Sequence, residues 1–204
     1  MPPTIPPLGR RERNKQAKLE RIVTAASELF VAHGVDDVTT GQIADAADIG
    51  TGTLFLYAKT KGELLLLVQN RHYAEALEQG QKAASSQTNA LDAVMALIAP
   101  IVECNRTQVQ NGRTYLREML FGDPTEEHHG AALNIIRQTE RALAELLQDR
   151  QDLDSETAAT LAQVISSIQY VSMASAMDPD IPVSQLTAAI RTQVGTVLGR
   201  QSAE

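Results

Sequence analysis

The stretch that most restricts the fold is residues 39–61, TTGQIADAADIGTGTLFLYAKTK. Counted from Thr40, apolar residues fall at Ile43, Ala47, Ile49, Leu54 and Tyr57, and a small Ala44 sits where two crossing helices come closest. This pattern predicts two short helices joined by a tight turn, a helix-turn-helix. Thr39 or Thr40 supplies a hydroxyl cap for the first helix, which ends near Ala47. Asp48 then takes the turn position, where a left-handed backbone is wanted and Asp tolerates it better than most residues. The second helix is expected over residues 50–57. Its outer face, Thr51, Gly52, Thr53 and Phe55, is small or uncharged, so backbone and hydroxyls can approach a phosphate or a base edge in a DNA major groove.

Composition agrees with a helical chain. Of the 204 residues 43% are hydrophobic, but only 3% are aromatic and none is Trp, so the core must come from Leu, Ile, Val, Ala and Met, which favour helices over strands. Cys104 is the one cysteine and has no internal partner for a disulfide. The N-terminus does not read as a signal sequence, and no apolar run approaches the roughly 20 residues that span a bilayer, so a soluble, cytoplasmic protein without a membrane partner is expected. The net charge of −7 would disfavour a nucleic-acid partner if it were evenly spread. It is not: residues 1–61 carry +1 and the remainder −8, and six cations (Arg10, Arg11, Arg13, Lys15, Lys18, Arg21) stand against two acids within the first 21 residues.

Residues 1–9, with four prolines and a glycine, predict a disordered arm. Ile22, Ala25, Ala26, Leu29 and Phe30 then recur as one stripe of an amphipathic helix that Gly34 ends, with His33 in its last turn. A long connecting helix is predicted from Lys61 to about Ala84. The next helix has Leu91, Val94, Met95, Ile98 and Val102 on its apolar face, a kink at Pro100 and a break at Gly112. Residues 113–121 form a further helix, 122–130 (GDPTEEHHG) an exposed loop, and three more helices follow: 131–151, one from the Asp154 or Ser155 cap to about Ala176, and one from Ser184. The predicted fold is therefore all-α: an arm at 1–9, a DNA-binding domain at 10–60 and a larger helical domain at 61–204.

The first 60 residues resemble the DNA-binding domain of the tetracycline-repressor (TetR) family of bacterial transcription regulators. The residues that carry the likeness are Ile22, Ala25-Ala26, Leu29-Phe30, Gly34, Thr39-Thr40, Ile43-Ala44, Ala47, Gly52-Thr53-Leu54, Lys61 and Leu64. Beyond them the chain is similar only in length and helical reading. The family's usual AGVS turn is Ala47-Asp48-Ile49-Gly50 here, and its TLYYYF-like run is Thr53-Leu54-Phe55-Leu56-Tyr57-Ala58. A Tyr that commonly reaches a phosphate is thus Phe55, which leaves Tyr57 as the phenol for that role and Phe55 for apolar contact, such as with a thymine methyl. The resemblance implies Thr40 and Gly41 near phosphate, Thr51, Gly52 and Thr53 facing the groove, and Tyr57 and Lys61 on the backbone. No Arg, Asn or Gln lies on the second helix, so specificity would rest on hydroxyl and methyl contacts, on Gln42 of the preceding helix and on DNA shape.

In the second domain, Leu161, Val164, Ile165, Ile168 and Val171 on one helix and Leu186, Ile190, Val194 and Val197 on the last carry more apolar surface than the end of a small domain needs, though part of it faces its own domain. The resemblance implies that these helices pair with their mates in a four-helix homodimer bundle, and that the dimer reads a pseudo-palindromic operator. A small-molecule effector would bind among the middle helices, where Met95, Cys104, Tyr115, Met119, Phe121, Tyr170, Met173 and Met177 are the adaptable or amphipathic side chains. By resemblance, the effector favours a spacing of the recognition helices unsuited to the half-sites, releasing a repressor from DNA. Neither a cofactor nor a metal is expected: Glu126-Glu127-His128-His129 lacks the i, i+4 spacing of a metal site, and Cys104 has no evident activating partner. A helical scaffold that binds only protein, and a helical enzyme using the same cavity, are the alternatives to a ligand-responsive repressor.

Overall fold

A computed structural model describes residues 9–176 and 178–199, so residues 1–8 of the predicted arm, and Met177 of the predicted pocket, lie outside the described residues. Nine helices and no strand are found among the described residues: α1 (Arg10–His33), α2 (Thr40–Ala46), α3 (Thr51–Leu54), α4 (Lys61–Ser85), α5 (Ala90–Arg106), α6 (Val109–Phe121), α7 (Glu127–Gln151), α8 (Ser155–Ser175) and α9 (Val183–Gly199).

Helices α1–α3 form the N-terminal unit around Ile22, Ala26, Phe30, Ile43, Ala44 and Leu54, all fully buried. The 25 residues of α4, about 37 Å of helix at 1.5 Å per residue, leave that unit and become the axis of the second one. It packs on α1 at one end, and on α5, α6 and α7 along its length. Side chains cap most starts: Thr60 accepts from the Glu63 N–H at 3.0 Å, Asn89 from Asp92 at 3.1 Å, Gln108 from Asn111 at 2.8 Å, and Asp154 from Glu156 and Thr157 at 2.9 and 3.0 Å.

Three sequence expectations are corrected. The α5 helix ends at Arg106, not at Gly112, because the Gln108 cap starts α6 two residues later. Gly112 lies inside α6, where a Cβ would collide with the Asn105 carbonyl; the glycine lets two helices touch and breaks neither. Residues 122–130 are only partly the exposed loop expected: residues 123–125 are exposed, but α7 begins at Glu127, and His129 is 5% exposed with its ring beside Gly122 at the end of α6.

Candidate nucleic-acid interface and effector region

The turn between α2 and α3 forms as its residues require. Thr39 accepts from the Gln42 N–H at 3.2 Å while the Gln42 side chain accepts from the Thr39 N–H at 2.8 Å, a reciprocal capping box that holds the start of α2. Asp48 adopts φ 52°, the left-handed conformation expected of it, and its carboxylate pairs with Arg21 of α1 at 3.3 Å. The regular part of α3 is shorter than the expected 50–57. It covers Thr51–Leu54, after which bonds from Leu56 N–H to the Thr53 carbonyl (3.2 Å) and Tyr57 N–H to the Leu54 carbonyl (2.9 Å) tighten the chain into i→i+3 turns.

The outer surface of this segment presents Thr51, Gly52 and Phe55, all exposed, with Thr53 half-buried beside them. A Cβ at Gly52 would meet nothing within 4 Å, so the backbone there is open to close approach. Leu56, not singled out from sequence, is 83% exposed next to Phe55. Its signal was available: it occupies an outward position of a run whose inward residues are Leu54 and Tyr57. Thr40 and Gly41 are half-buried at the start of α2. The remaining expected contact residues are engaged within the unit. The Tyr57 phenol donates to the Lys15 carbonyl of α1 at 3.3 Å, Lys61 Nζ donates to the Asp36 and Val38 carbonyls at 3.0 and 3.2 Å, and Gln42 is tied into the capping box through its oxygen.

The residues expected to line an effector pocket do not share any one of the cavities described among residues 9–176 and 178–199. Met95, Tyr115, Met119, Tyr170 and Met173 are buried in the core, whereas Phe121 is 83% exposed at the end of α6. Cys104 lines a cleft of about 350 Å³ between α1, α4 and α5, with Phe30, His72, Glu75 and Pro100 among its walls. Burial pushes the Cys104 thiol up to about 12, helped by the Glu75 carboxylate, so it is a poor nucleophile. Phe121 borders a separate space of about 430 Å³ with Arg113, Arg117 and Leu120. Tyr73 and Tyr115 stack at 4.1 Å between ring centroids, and burial raises the pKa of both phenols well above the ordinary range.

Sequence reasoning missed Gln169. It is 0% exposed on α8, and neither its amide oxygen nor its nitrogen has a partner among the described residues; Ser166 Oγ, one turn earlier, is in the same condition. Unpaired buried amides are costly, so these two buried polar groups of α8 call for a water or a ligand. The sequence signal was two polar residues, i and i+3, on the inward face of a helix without charge after Glu156.

Of the residues expected at a dimer interface, Leu161, Ile165, Leu186, Ile190 and Val194 are buried in their own protomer. That part of the expected surface serves its own domain. The rest of it on α8 faces outward: Val164 and Val171 are exposed, Val171 by 66%, with Ile168 half-buried between them. Val197 is half-buried on α9.

One constellation has the order of a hydrolytic triad. Ser27 Oγ lies 3.3 Å from His72 Nε2, and His72 Nδ1 lies 3.9 Å from Glu75. The second distance is too long for a hydrogen bond, and Glu75 is bonded to Arg71 at 3.2 Å. Among the described residues no group of three or more His, Cys, Asp or Glu could hold a metal, and no helix is long and apolar enough to cross a membrane.

Residues 22–68 match the sequence model of the bacterial regulatory proteins, tetR family. The HTH-type transcriptional regulator QacR of Staphylococcus aureus is 33% identical over 63 residues, which span 31% of this chain and about a third (34%) of that relative. The architecture as a whole is similar to Thermus thermophilus FadR, a TetR-family repressor solved with lauroyl-CoA (TM-score 0.67, 20% identity, 86% of this chain and 92% of that one). It is also similar to a TetR regulator from Rhodococcus sp. RHA1 (TM-score 0.67, 16% identity, 91% and 97%) and to SCO4454 of Streptomyces coelicolor (TM-score 0.64, 22% identity, 93% and 97%). At these identities the structural likeness establishes the fold, and the match over residues 22–68 establishes that the helix-turn-helix unit is of the tetR type.

Proposed function

We propose that this chain is a homodimeric DNA-binding transcriptional regulator, a repressor that a small-molecule effector releases from a pseudo-palindromic operator. The observation that carries the reading is the capped helix-turn-helix with its uncrowded outer face at Thr51 and Gly52, on a unit whose long first helix holds the cations of the N-terminal region. The outward apolar stripe of Val164, Ile168 and Val171, on a helix with no charge after Glu156, supports pairing with a second copy. Support for an effector comes from the unpaired Gln169 amide and Ser166 hydroxyl in the core. The effector reading concerns a polar group able to hydrogen-bond that amide, and FadR's lauroyl-CoA is a property of FadR.

Within this reading, Thr51, Gly52, Thr53 and Phe55 face the groove, Thr40, Gly41 and Gln42 lie at its edge, and Tyr57 and Lys61 stay near the backbone. Lys61 keeps one ammonium N–H for a phosphate beyond the two carbonyls it already serves. The test is a gel-shift titration with the intergenic DNA upstream of the gene, across salt concentrations. Lys61→Ala should weaken specific and random DNA alike, by about three- to tenfold, and lower the salt slope by about one. Thr51→Ala should change sequence preference. No shift at low salt with the wild-type protein refutes the DNA-binding reading, and equal effects of Thr51→Ala on both DNAs refute the assignment of roles.

A further inference from the structure

The C-terminal end of the recognition segment is held by α7, through residues that the sequence presents as an acidic loop. His128 Nε2 lies 2.8 Å from the Tyr57 carbonyl, and Lys59 Nζ lies 3.1 Å from Glu126. A carbonyl only accepts, so Nε2 carries the hydrogen in this contact; neutral and protonated imidazole both make the bond. The partner suits its place, because carbonyls at the end of a helix have no intrahelical donor.

His128 is itself held from the other side. Its backbone carbonyl accepts from Asn70 Nδ2 of α4 at 2.9 Å, and Asn70 Oδ1 accepts from the Tyr115 hydroxyl of α6 at 2.9 Å. The Asn70 orientation follows from chemistry: reversing the amide would set its oxygen against the His128 carbonyl, two acceptors face to face. Tyr115 is fully buried and stacked on Tyr73, whose hydroxyl accepts from Asn105 at 2.7 Å. Two glycines nearby let α4 and α6 pass close to their neighbours. A Cβ at Gly62 would come within 2.7 Å of the Glu118 carboxyl carbon, and one at Gly122 within 2.9 Å of the His129 ring.

We propose that His128 and Asn70 are positioning residues for DNA binding. They seat residues 55–58 in one place, and they make that seat depend on where Tyr115 sits in the core. The inference rests on the DNA-binding reading above and adds to it a physical route: Tyr115 to Asn70, Asn70 to the His128 carbonyl, and the His128 ring to the Tyr57 carbonyl. Regular helix at α3 lasts only four residues; the following turn is held by its own short-range bonds and by the Tyr57 phenol on Lys15, and the His128 contact ties that turn to α7, so losing it changes the population of the seated state.

The experiment uses the full chain and four variants: His128→Phe, His128→Gln, Asn70→Ala and Tyr115→Phe. Amide hydrogen exchange over residues 53–61 and affinity for a fragment selected from random DNA by the wild-type protein are measured with thermal melting. In His128→Phe these amides should exchange about tenfold faster and the DNA Kd should rise about five- to tenfold, with the melting temperature nearly unchanged; Asn70→Ala should do the same with a fall of a few degrees in melting temperature, because it leaves the buried Tyr115 hydroxyl unpaired. His128→Gln, whose amide can donate to the same carbonyl, should return both to within about threefold of wild type. Tyr115→Phe, which keeps the stacked ring and loses the donor, should move exchange at 53–61 in the same direction.

Unchanged exchange and affinity in His128→Phe overturn the proposal, as does faster exchange spread over the whole chain with a matching fall in melting temperature. Unchanged exchange at 53–61 in Tyr115→Phe overturns the link to the core. Should the wild-type chain select no DNA, the DNA-binding reading fails by itself, and the exchange measurement still decides whether His128 and Asn70 seat the segment.

Discussion

Asn111 offers the sharpest test of how the two units are joined. Gly34 ends α1 with φ 81°, and the turn it makes leaves the buried Val35 N–H without a helical acceptor. Asn111 of α6, fully buried, fills that need from 76 residues away: its Oδ1 accepts from Val35 N–H at 2.7 Å, and its Nδ2 donates to the Phe30 carbonyl at 2.7 Å. The Phe30 carbonyl keeps a second donor, Gly34 N–H at 2.9 Å, but the Val35 N–H has no substitute among the described bonds. Asn111→Ala therefore orphans a buried donor, at about 1–3 kcal/mol, and loses one further bond of about 1 kcal/mol, for a total of about 2–4 kcal/mol.

Asn111→Asp separates the two halves of this argument. Its oxygen still accepts from Val35, but at neutral pH a desolvated carboxylate faces the Phe30 carbonyl, acceptor against acceptor. The Asp variant should be less stable than the Ala variant at pH 8 and should recover as pH falls and the carboxyl gains a proton to donate. Urea unfolding followed by circular dichroism, at one fixed protein concentration, measures both, and exchange of the Val35 amide reports the orphaned group directly. An Ala variant within about 0.5 kcal/mol of wild type, or an Asp variant equally stable at pH 5 and pH 8, would refute the reasoning.

Two other expectations follow from close contacts. Gly80→Ala should lower the melting temperature, because a Cβ there overlaps the Leu97 carbonyl oxygen and lies 2.8 Å from its carbon, an overpacking cost of about 1–3 kcal/mol that exceeds the gain of about 1 kcal/mol in helix propensity; a stabilised variant contradicts the tight α4–α5 crossing. For Glu63→Gln the sign comes from a raised carboxyl pKa: burial of Glu63, with the Glu126 carboxylate beside it, shifts it above its ordinary 4.5, so its contribution is full below that value and lost as pH rises through the raised one. Glutamine keeps an acceptor for the Lys59 N–H, now bonded to Glu63 at 2.8 Å, and carries no charge, so the variant should unfold at higher urea than wild type at pH 8 and show no such advantage at pH 4.5. An advantage equal at both values would show that the Glu63 charge is not what costs stability.

The helix-turn-helix was legible because each of its devices is local. A hydroxyl at position 39, apolar residues spaced for two short helices and an Asp at the left-handed turn each constrain their neighbours, and each forms as the residues require. What failed were inferences about which element lies opposite. Gly112 has the same sequence signature whether it breaks a helix or lets one touch Asn105, and only the packing separates the two. The run Glu126-Glu127-His128-His129 looks solvated by composition, yet His129 is buried beside the end of α6 and His128 is bonded to the Tyr57 carbonyl of the N-terminal unit. Apolar stripes on α8 were visible, but one faces inward and the other outward, and periodicity alone assigns neither. A pocket drawn by collecting Met, Tyr and Phe by type dispersed for the same reason, with Phe121 at the surface and Tyr115 in the core.

Two of the contacts between the units start from α6. Asn111 and Tyr115 stand four residues apart, hence on one face of that helix, and each leads to a different end of the N-terminal unit. Asn111 holds the end of α1 directly, and Tyr115 reaches the end of the recognition segment through Asn70 and His128. A shift of α6 would therefore bear on both ends. Between them the unit has a continuous core of Ile22, Phe30, Ile43 and Leu54 and resists internal deformation. Its cheapest response is to turn as a body about the start of α4, where Thr60 caps the helix and Gly62 gives Glu118 room to pass close. In a dimer such a turn alters the separation and tilt of two recognition segments without changing the contact surface of either, so an effector acting on α6 would change fit to a fixed half-site spacing while leaving non-specific phosphate contacts available.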